Sequence, residues 1–144
     1  FTDGAWREDN RIAGLAWIFE NPDGSVKSQY TSLADFIGSP LTVEAMAVKM
    51  ALAEVINLDL ERLCVVSDSK VLIQALSTKN IVTEIYGILL EIFNLLSFFW
   101  EIHFRFTPRE ANLLADSLAK QSFRESSMLA DRNVRGIFPQ TLNL

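Results

Sequence analysis

The amino-acid sequence predicts one α/β domain in which helices flank a five-stranded mixed sheet. The chain has 144 residues, of which 49% are hydrophobic and 22% charged, so it can form a single apolar core. Segments with strand-like and helical periodicity follow one another in the order β-β-β-α-β-α-α-β-α. Three successive strands predict an antiparallel meander, and the two later strands, each preceded by a helix, predict parallel neighbours.

The meander comprises the first three strands. Phe1–Ala5 and Ala13–Glu20 are strand-like, and Ser25–Thr31 alternates as a returning strand does. Asn21-Pro22-Asp23-Gly24 connects the last two, with Pro and Gly where type I turns favour them. Because Phe1 already lies inside a predicted strand, we expect a domain truncated at this edge, within a longer chain.

The first helix has a clear start. Ser39 is a favoured N-cap residue, and Pro40 suits the first helical position. Apolar residues from Val43 to Leu58 then recur at helical spacing, which predicts one buried face. The apolar run within Glu61–Ser67 follows as a strand that should be fully buried.

Two helices and a strand fill the next part of the chain. Ser69–Leu76 is a short predicted helix, Thr83–Phe99 a long one, and Trp100–Thr107 alternates as a fifth strand. The most apolar stretch, residues 85–100, is short and is interrupted by an acid and an amide. A buried helix is therefore favoured over a membrane span.

The last helix is predicted to begin at the capping box Thr107-Pro108-Arg109-Glu110 and to end near Phe123. Residues 124–144 lack clear periodicity and contain Ser, Arg, Asn, Gly and Pro. We therefore predict a domain at residues 1–123, followed by a C-terminal tail or linker at 124–144.

Composition argues against several classes of protein. The net charge of −5 and pI near 4.8 give no basic surface for nucleic acid, although bound cations would reverse the local sign. One cysteine, Cys64, cannot form a disulfide within the chain, and with a single histidine it cannot complete a zinc site. We expect an intracellular, monomeric domain without a membrane segment, and the first residues show no signal-peptide pattern.

Four acidic residues stand at the boundaries of the predicted elements. Each has an ordinary interpretation: Asp3 as a turn residue before Gly4, Asp68 as a helix cap, Glu44 as a partner of the helix dipole, and Asp116 as a solvated helix charge. Against these interpretations, Asp3 lies in an apolar strand, where an unpaired carboxylate is costly. Asp68 directly follows the buried strand.

The order of the elements predicts that these acids converge. If the first strand pairs with the fourth, Asp3 and Asp68 lie side by side, and Glu44 reaches the same end of the sheet. Asp116 shares a helical face with Asn112 and two alanines, which would let it approach closely. Four acids without basic partners repel one another and need cations. Carboxylate oxygens select Mg²⁺ or Mn²⁺, and two such ions support in-line displacement at phosphorus.

Four stretches carry a resemblance to a known family: FTDGAW at 1–6, TVEAMAVKMAL at 42–52, VVSDSK at 65–70 and PREANLLADSLAK at 108–120. They are similar to the ribonuclease H-like domains that are common in plants and that also occur at the end of retroelement reverse transcriptases. The resemblance covers residues 1 to about 123 and includes all four acids in the family's order.

The resemblance implies a two-metal hydrolase that acts on the RNA strand of RNA–DNA hybrids. Asp3 would bridge both ions, Glu44 and Asp68 would complete the coordination of one, and Asp116 would bind the other. Gly4, Lys70 and Asn112 match positions near the substrate groove, where the ribose hydroxyl distinguishes RNA from DNA.

The sequence departs from the family pattern at two places. The family often has a histidine ten residues before the last aspartate, in a loop that assists proton transfer and product release. Phe106 occupies that position, and His103, three residues earlier in an alternating strand, is interpreted as structural. The basic segment with which some members bind the hybrid is also missing. We therefore expect a slow enzyme.

Two other interpretations remain open at this stage. The first is a nucleic-acid-binding or protein-interaction module that keeps the fold with little or no activity. The second is an exonuclease or a transposase that uses the same carboxylates. Retention of all four acids favours the enzyme, and the missing histidine and acidic composition favour the module.

Overall fold

The computed structural model describes residues 1–6, 12–35, 38–131 and 140–143, with the backbone alone at residues 6, 123, 125–131 and 140–143. Six strands and four α-helices lie along these residues. They are β1 (Thr2–Trp6), β2 (Ile12–Glu20), β3 (Val26–Asp35), α1 (Pro40–Asn57), β4 (Arg62–Ser67), α2 (Lys70–Thr78), α3 (Tyr86–Leu96), β5 (Glu101–Phe106), α4 (Leu113–Asp131) and β6 (Gln140–Asn143).

The strands form one mixed sheet in the order β5-β4-β1-β2-β3-β6. β1, β2 and β3 pair antiparallel, whereas β4 is parallel to both β1 and β5. This arrangement confirms the five-stranded mixed sheet that the element order predicts. β6 adds a sixth strand, antiparallel to β3, at the opposite edge from β5.

The last helix differs from its prediction at both ends. The capping-box segment forms a short 3-10 turn at Arg109–Ala111 without a side-chain cap, and α4 begins at Leu113. The helix continues to Asp131 instead of ending near Phe123. Residues 124–131, which lack clear periodicity in the sequence, thus continue α4, and residues 140–143 form β6. In β6, pairing with β3 overrides weak local periodicity.

Alternating side chains of β2 bind the sheet to helices on its two faces. Ala13, Leu15 and Trp17 pack with α1, whereas Ala16 and Ile18 pack with α4. α4 also contacts β1 and β3, so it covers the part of one sheet face that β1, β2 and β3 form. α2 and α3 complete the other layer, where α2 packs on β5 and α3 on α1. No helix among the described residues is long and apolar enough to cross a membrane.

β4 is only partly buried, contrary to the prediction of a fully buried strand. Arg62 and Cys64 are exposed, whereas Val65, Val66 and Ser67 are buried. The described contacts of α4 with the sheet are concentrated on β1, β2 and β3. The side of β4 and β5 that faces away from α2 and α3 is therefore largely open to solvent. An apolar run in the sequence does not show which neighbour covers it.

A cavity of about 450 Å³ lies between β2 and β4, beside Phe1. The register pairs Thr2 of β1 with Ser67 of β4, and the Phe1 amino group donates a hydrogen bond to the carbonyl oxygen of Ile18 at 3.0 Å. Beyond that point β4 and β2 continue on either side of the cavity, and residues from Phe19 to Glu20 and from Arg62 to Val66 line it.

Candidate metal centre

Three carboxylates from separate elements meet at one end of the sheet. Asp3 of β1, Glu44 of α1 and Asp68, directly after β4, each place an oxygen within 4.8 Å of the others. The pairing of Thr2 with Ser67 brings Asp3 and Asp68 side by side, as the predicted strand order requires. The structure therefore brings together three of the four predicted acids, including the pair that the first and fourth strands were expected to align.

Glu44 reaches this cluster because α1 lies unusually close to β1. A Cβ atom at Gly4 would lie 2.5 Å from Cγ1 of Val43, which is too close for any side chain. The start of α1 is fixed as the sequence predicts, since Ser39 Oγ accepts a hydrogen bond from the Thr42 backbone N–H at 3.3 Å. Gly4 thus contributes space for the helix.

Burial and like charges favour protonated carboxyls in the cluster. Burial, with the charges of Asp68 and Asp116, raises the pKa of Asp3 to about 7. Burial, followed by the charges of Asp3 and Asp68, raises the pKa of Glu44 to about 10. The pKa of Asp68 is also raised, mainly by burial, although Arg109 opposes the shift. At neutral pH the cluster therefore holds protons that a cation would displace.

The cluster fits a hard divalent cation by its donor set. Asp3 Oδ2 and Glu44 Oε2 are buried and have no hydrogen-bond partner among the described residues. A buried oxygen without a partner is costly, and coordination to a cation would satisfy it. The donors are all carboxylates, which suit Mg²⁺ or Mn²⁺ better than softer metals.

Asp116 differs from the other three acids because it has basic partners. Lys120 Nζ lies 2.8 Å from its Oδ2, and Arg109 Nη2 lies 3.3 Å from its Oδ1. Burial alone would raise the pKa of Asp116, but Lys120, Asp3 and Arg109 lower it overall. The prediction of four converging acids without basic partners is wrong in this respect. The spacing of four residues between Asp116 and Lys120 could have indicated that pair. Arg109 could not be predicted, because a 3-10 turn sets its position.

Asn112 joins the last helix to the first strand. Its Nδ2 donates a hydrogen bond to the Thr2 backbone oxygen at 3.0 Å, and its side chain is fully buried. The backbone carbonyl oxygen of Asn112 also accepts from the Asp116 backbone N–H at 3.1 Å, which starts α4. Asn112 therefore positions Asp116 relative to Asp3. Lys70, the other residue expected near the substrate, is exposed at the first position of α2.

Comparison with protein families gives a match to the model described as reverse transcriptase-like, over residues 1–122. The chain belongs to this family. A search of curated proteins finds no match.

Solved structures share the fold of this reverse transcriptase-like domain. Ribonuclease H1 from the halophilic archaeon Halobacterium salinarum superposes with a TM-score of 0.79 at 20% identity, over 86% of this chain and 95% of that one. The N-terminal RNase H domain of rv2228c from Mycobacterium tuberculosis, solved as a fusion with maltose-binding protein, gives 0.76 at 23% identity, over 90% and 94%. LC11-RNase H1 in complex with an RNA/DNA hybrid gives 0.73 at 18%, over 83% and 91%.

The histidine of this reverse transcriptase-like domain lies apart from the three-acid cluster. His103 is exposed on the open face of β5, and its Nε2 lies 2.9 Å from Glu101 Oε1. Phe106, which has the position of the loop histidine expected from the resemblance, is 43% exposed at the end of β5. It is therefore an exposed residue at the rim and not part of the core.

Proposed function

We propose that this domain hydrolyses the RNA strand of RNA–DNA hybrids with two Mg²⁺ or Mn²⁺ ions. The observation that carries the proposal is the cluster of Asp3, Glu44 and Asp68, whose oxygens lie within 4.8 Å of one another. Such a cluster costs stability unless a cation binds it. Similarity to the folds of ribonucleases H1, one of them solved with an RNA/DNA hybrid, supports this substrate.

Each acid has a role that follows from its position. Asp3, buried between the others, would be shared by both ions, with Glu44 and Asp68 on one ion and Asp116 on the other. Bound there, the ions would activate water and stabilise the charge that develops at phosphorus. The burial that raises the pKa of Asp3 and Glu44 also keeps water away and strengthens their attraction to cations.

The basic partners of Asp116 define a second set of roles. Arg109 is two-thirds exposed, so its guanidinium can leave Asp116 and contact a phosphate while the carboxylate binds a cation. Lys120 keeps Asp116 ionised and oriented. Lys70 is exposed at the start of α2, and Gly4 lies in β1. Both are at the end of the sheet where a hybrid strand would pass. Asn112 joins the start of α4 to β1 at this end.

We propose that the domain acts as a monomeric, intracellular unit, in agreement with its single free cysteine, Cys64. We propose a domain core at residues 1–123, supported by the family match over residues 1–122, to which the rest of α4 and β6 are attached.

A catalytically weak or inactive binding module is the second candidate. Two observations favour it: Asp116 is already neutralised by Arg109 and Lys120, and an apolar ring at Phe106 replaces a proton carrier. Such a module would bind the hybrid and leave it intact.

One experiment separates the candidates. A labelled RNA–DNA hybrid, duplex DNA and duplex RNA are each incubated with the protein, with and without Mg²⁺. We expect cleavage of the hybrid alone, in Mg²⁺ alone. Asp68→Asn should lower the rate by several orders of magnitude while binding in Ca²⁺ persists, whereas Glu61→Gln, at an exposed acid outside the cluster, should have little effect. Binding without cleavage by the unmodified chain would support the module, and equal losses in both variants would refute the assigned site.

A further inference from the structure

β5 is an edge strand of the sheet, and one of its sides is unpaired. Among the described residues, β4 is its only strand neighbour. The backbone N–H groups of Glu101 and Thr107 donate to carbonyl oxygens on the β4 side, at 3.2 and 3.0 Å. Because successive residues of a strand direct their backbone groups to opposite sides, Ile102 and Phe104 direct theirs away from β4. An edge of this kind can pair with a further strand.

The sequence of β5 is complementary to its own antiparallel copy. If two copies pair about His103, Glu101 of each copy lies opposite Arg105 of the other. All three side chains are exposed, and Arg105 has no acidic partner among the described residues. On the other face Ile102 lies opposite Phe104, and each such pair can exchange both outward backbone hydrogen bonds. Opposite charges and an aromatic ring beside a β-branched side chain are favourable cross-strand pairs. A register shift of two residues in either direction would separate Glu101 from Arg105.

This register also covers apolar side chains that a single copy leaves in solvent. Trp100, directly before β5, is 79% exposed, and Phe106, the last residue of β5, is 43% exposed. The register sets Trp100 of each copy opposite Phe106 of the other. Trp100 lines an open cavity of about 550 Å³ between β5 and the ends of α2 and α3, so there is room for a second ring beside it. Exposed aromatic residues at both ends of an edge strand are typical of an interface.

We propose that β5 pairs antiparallel with β5 of a second copy of this chain, about a two-fold axis at His103, and so joins two sheets into one. The inference is independent of the proposed function. Each copy keeps its own carboxylate cluster, so a single copy remains the unit that acts on substrate. One pair of strands is smaller than the interface of a stable dimer, and we therefore expect weak association, with a dissociation constant on the order of 10⁻⁴ M.

Sedimentation equilibrium over a range of protein concentrations measures this association. Glu101→Arg and Arg105→Glu should each weaken it by about 10- to 100-fold, because both charge pairs of the dimer become like-charged. An equimolar mixture of the two variants should associate again, since each supplies the charges that the other lacks. Arg124→Glu, which reverses the charge of an exposed residue on α4, is the matched control and should associate like the unmodified chain.

Disulfide cross-linking tests the register. In a Cys64→Ser background, His103→Cys places two thiols opposite each other across the axis, where the Cα separation of about 4.5–5.5 Å suits a disulfide. Mild oxidation should then give a covalent dimer. Arg105→Cys in the same background should not, because the two copies of position 105 lie four residues apart along the paired strands, at about 14 Å. An unmodified chain that stays monomeric at about 10⁻³ M, a mixture of the charge variants that does not associate, or equal cross-linking at both positions would overturn the proposal.

Discussion

Replacement of Asp3 by asparagine should stabilise the domain without metal and abolish the stabilisation that metal gives the unmodified chain. Burial and neighbouring acids raise the pKa of Asp3 from 3.8 to about 7. Each pKa unit corresponds to about 1.36 kcal/mol, so ionised Asp3 costs the folded state up to about 4 kcal/mol above pH 7. Asparagine avoids this cost with nearly the same shape. For a domain of this size the melting temperature should rise by on the order of 5–15 °C at pH 8.

The sign of the effect depends on pH in a way that identifies its cause. A carboxyl whose pKa is higher in the folded state than in the unfolded chain stabilises the fold below about pH 3.8. That contribution is lost as pH rises through about 7. The difference between Asp3→Asn and the unmodified chain should therefore be near zero at pH 4 and largest at pH 8. Thermal denaturation in chelator, followed by circular dichroism, measures it.

Asp116→Asn is the matched control, with the opposite sign. Lys120 and Arg109 contribute to the lowering of the pKa of Asp116, so loss of its charge should lower the melting temperature at pH 8.

In millimolar Mg²⁺ the unmodified chain should gain stability, by about 2.7 kcal/mol at one hundred times the dissociation constant, and Asp3→Asn should not. If Asp3→Asn changes stability equally at pH 4 and pH 8, repulsion within the cluster is not the cause.

Four further outcomes follow from the same structure. Gly14→Ala should destabilise the fold by about 3 kcal/mol or more in urea denaturation, because the new Cβ would collide with a backbone carbonyl of α4. Gly24→Ala, with φ of +86° in an open turn, should cost only about 1 kcal/mol in the same assay. Asn112→Ala should cost about 1–3 kcal/mol, since it leaves a buried carbonyl of β1 without its donor. Phe106→His should raise hybrid turnover, by about 10²–10⁴-fold at most, and the gain should fade below about pH 6.5 in steady-state assays; an unchanged rate at every pH would contradict a missing proton carrier.

The order and type of the main elements could be predicted from the sequence because local signals agree with the tertiary structure. Ser39 and Pro40 start α1 as their chemistry requires, and alternation identifies β5. The convergence of Asp3 and Asp68 followed from one assumption, that the first strand pairs with the fourth. These predictions depended on neighbours in sequence or on one strand pairing.

The remaining features depend on contacts that no local pattern encodes. β6 forms because the edge of β3 is available to it, and Cys64 is exposed because the described contacts of α4 lie with other strands. The pairing of Arg109 with Asp116 requires the turn before α4 to direct a guanidinium towards a residue seven positions later in the chain. Such contacts follow from the assembled fold, which is why the charge balance at Asp116 was predicted wrongly.

The close approach of α1 to β1 couples the carboxylate cluster to the packing of the helix. A Cβ atom at Gly4 would lie 2.5 Å from Cγ1 of Val43, the residue directly before Glu44. Any side chain at Gly4 would therefore push the start of α1 away from β1, and Glu44 would move away from Asp3 with it. The distance between these two carboxylates is thus set by a position that carries no side chain.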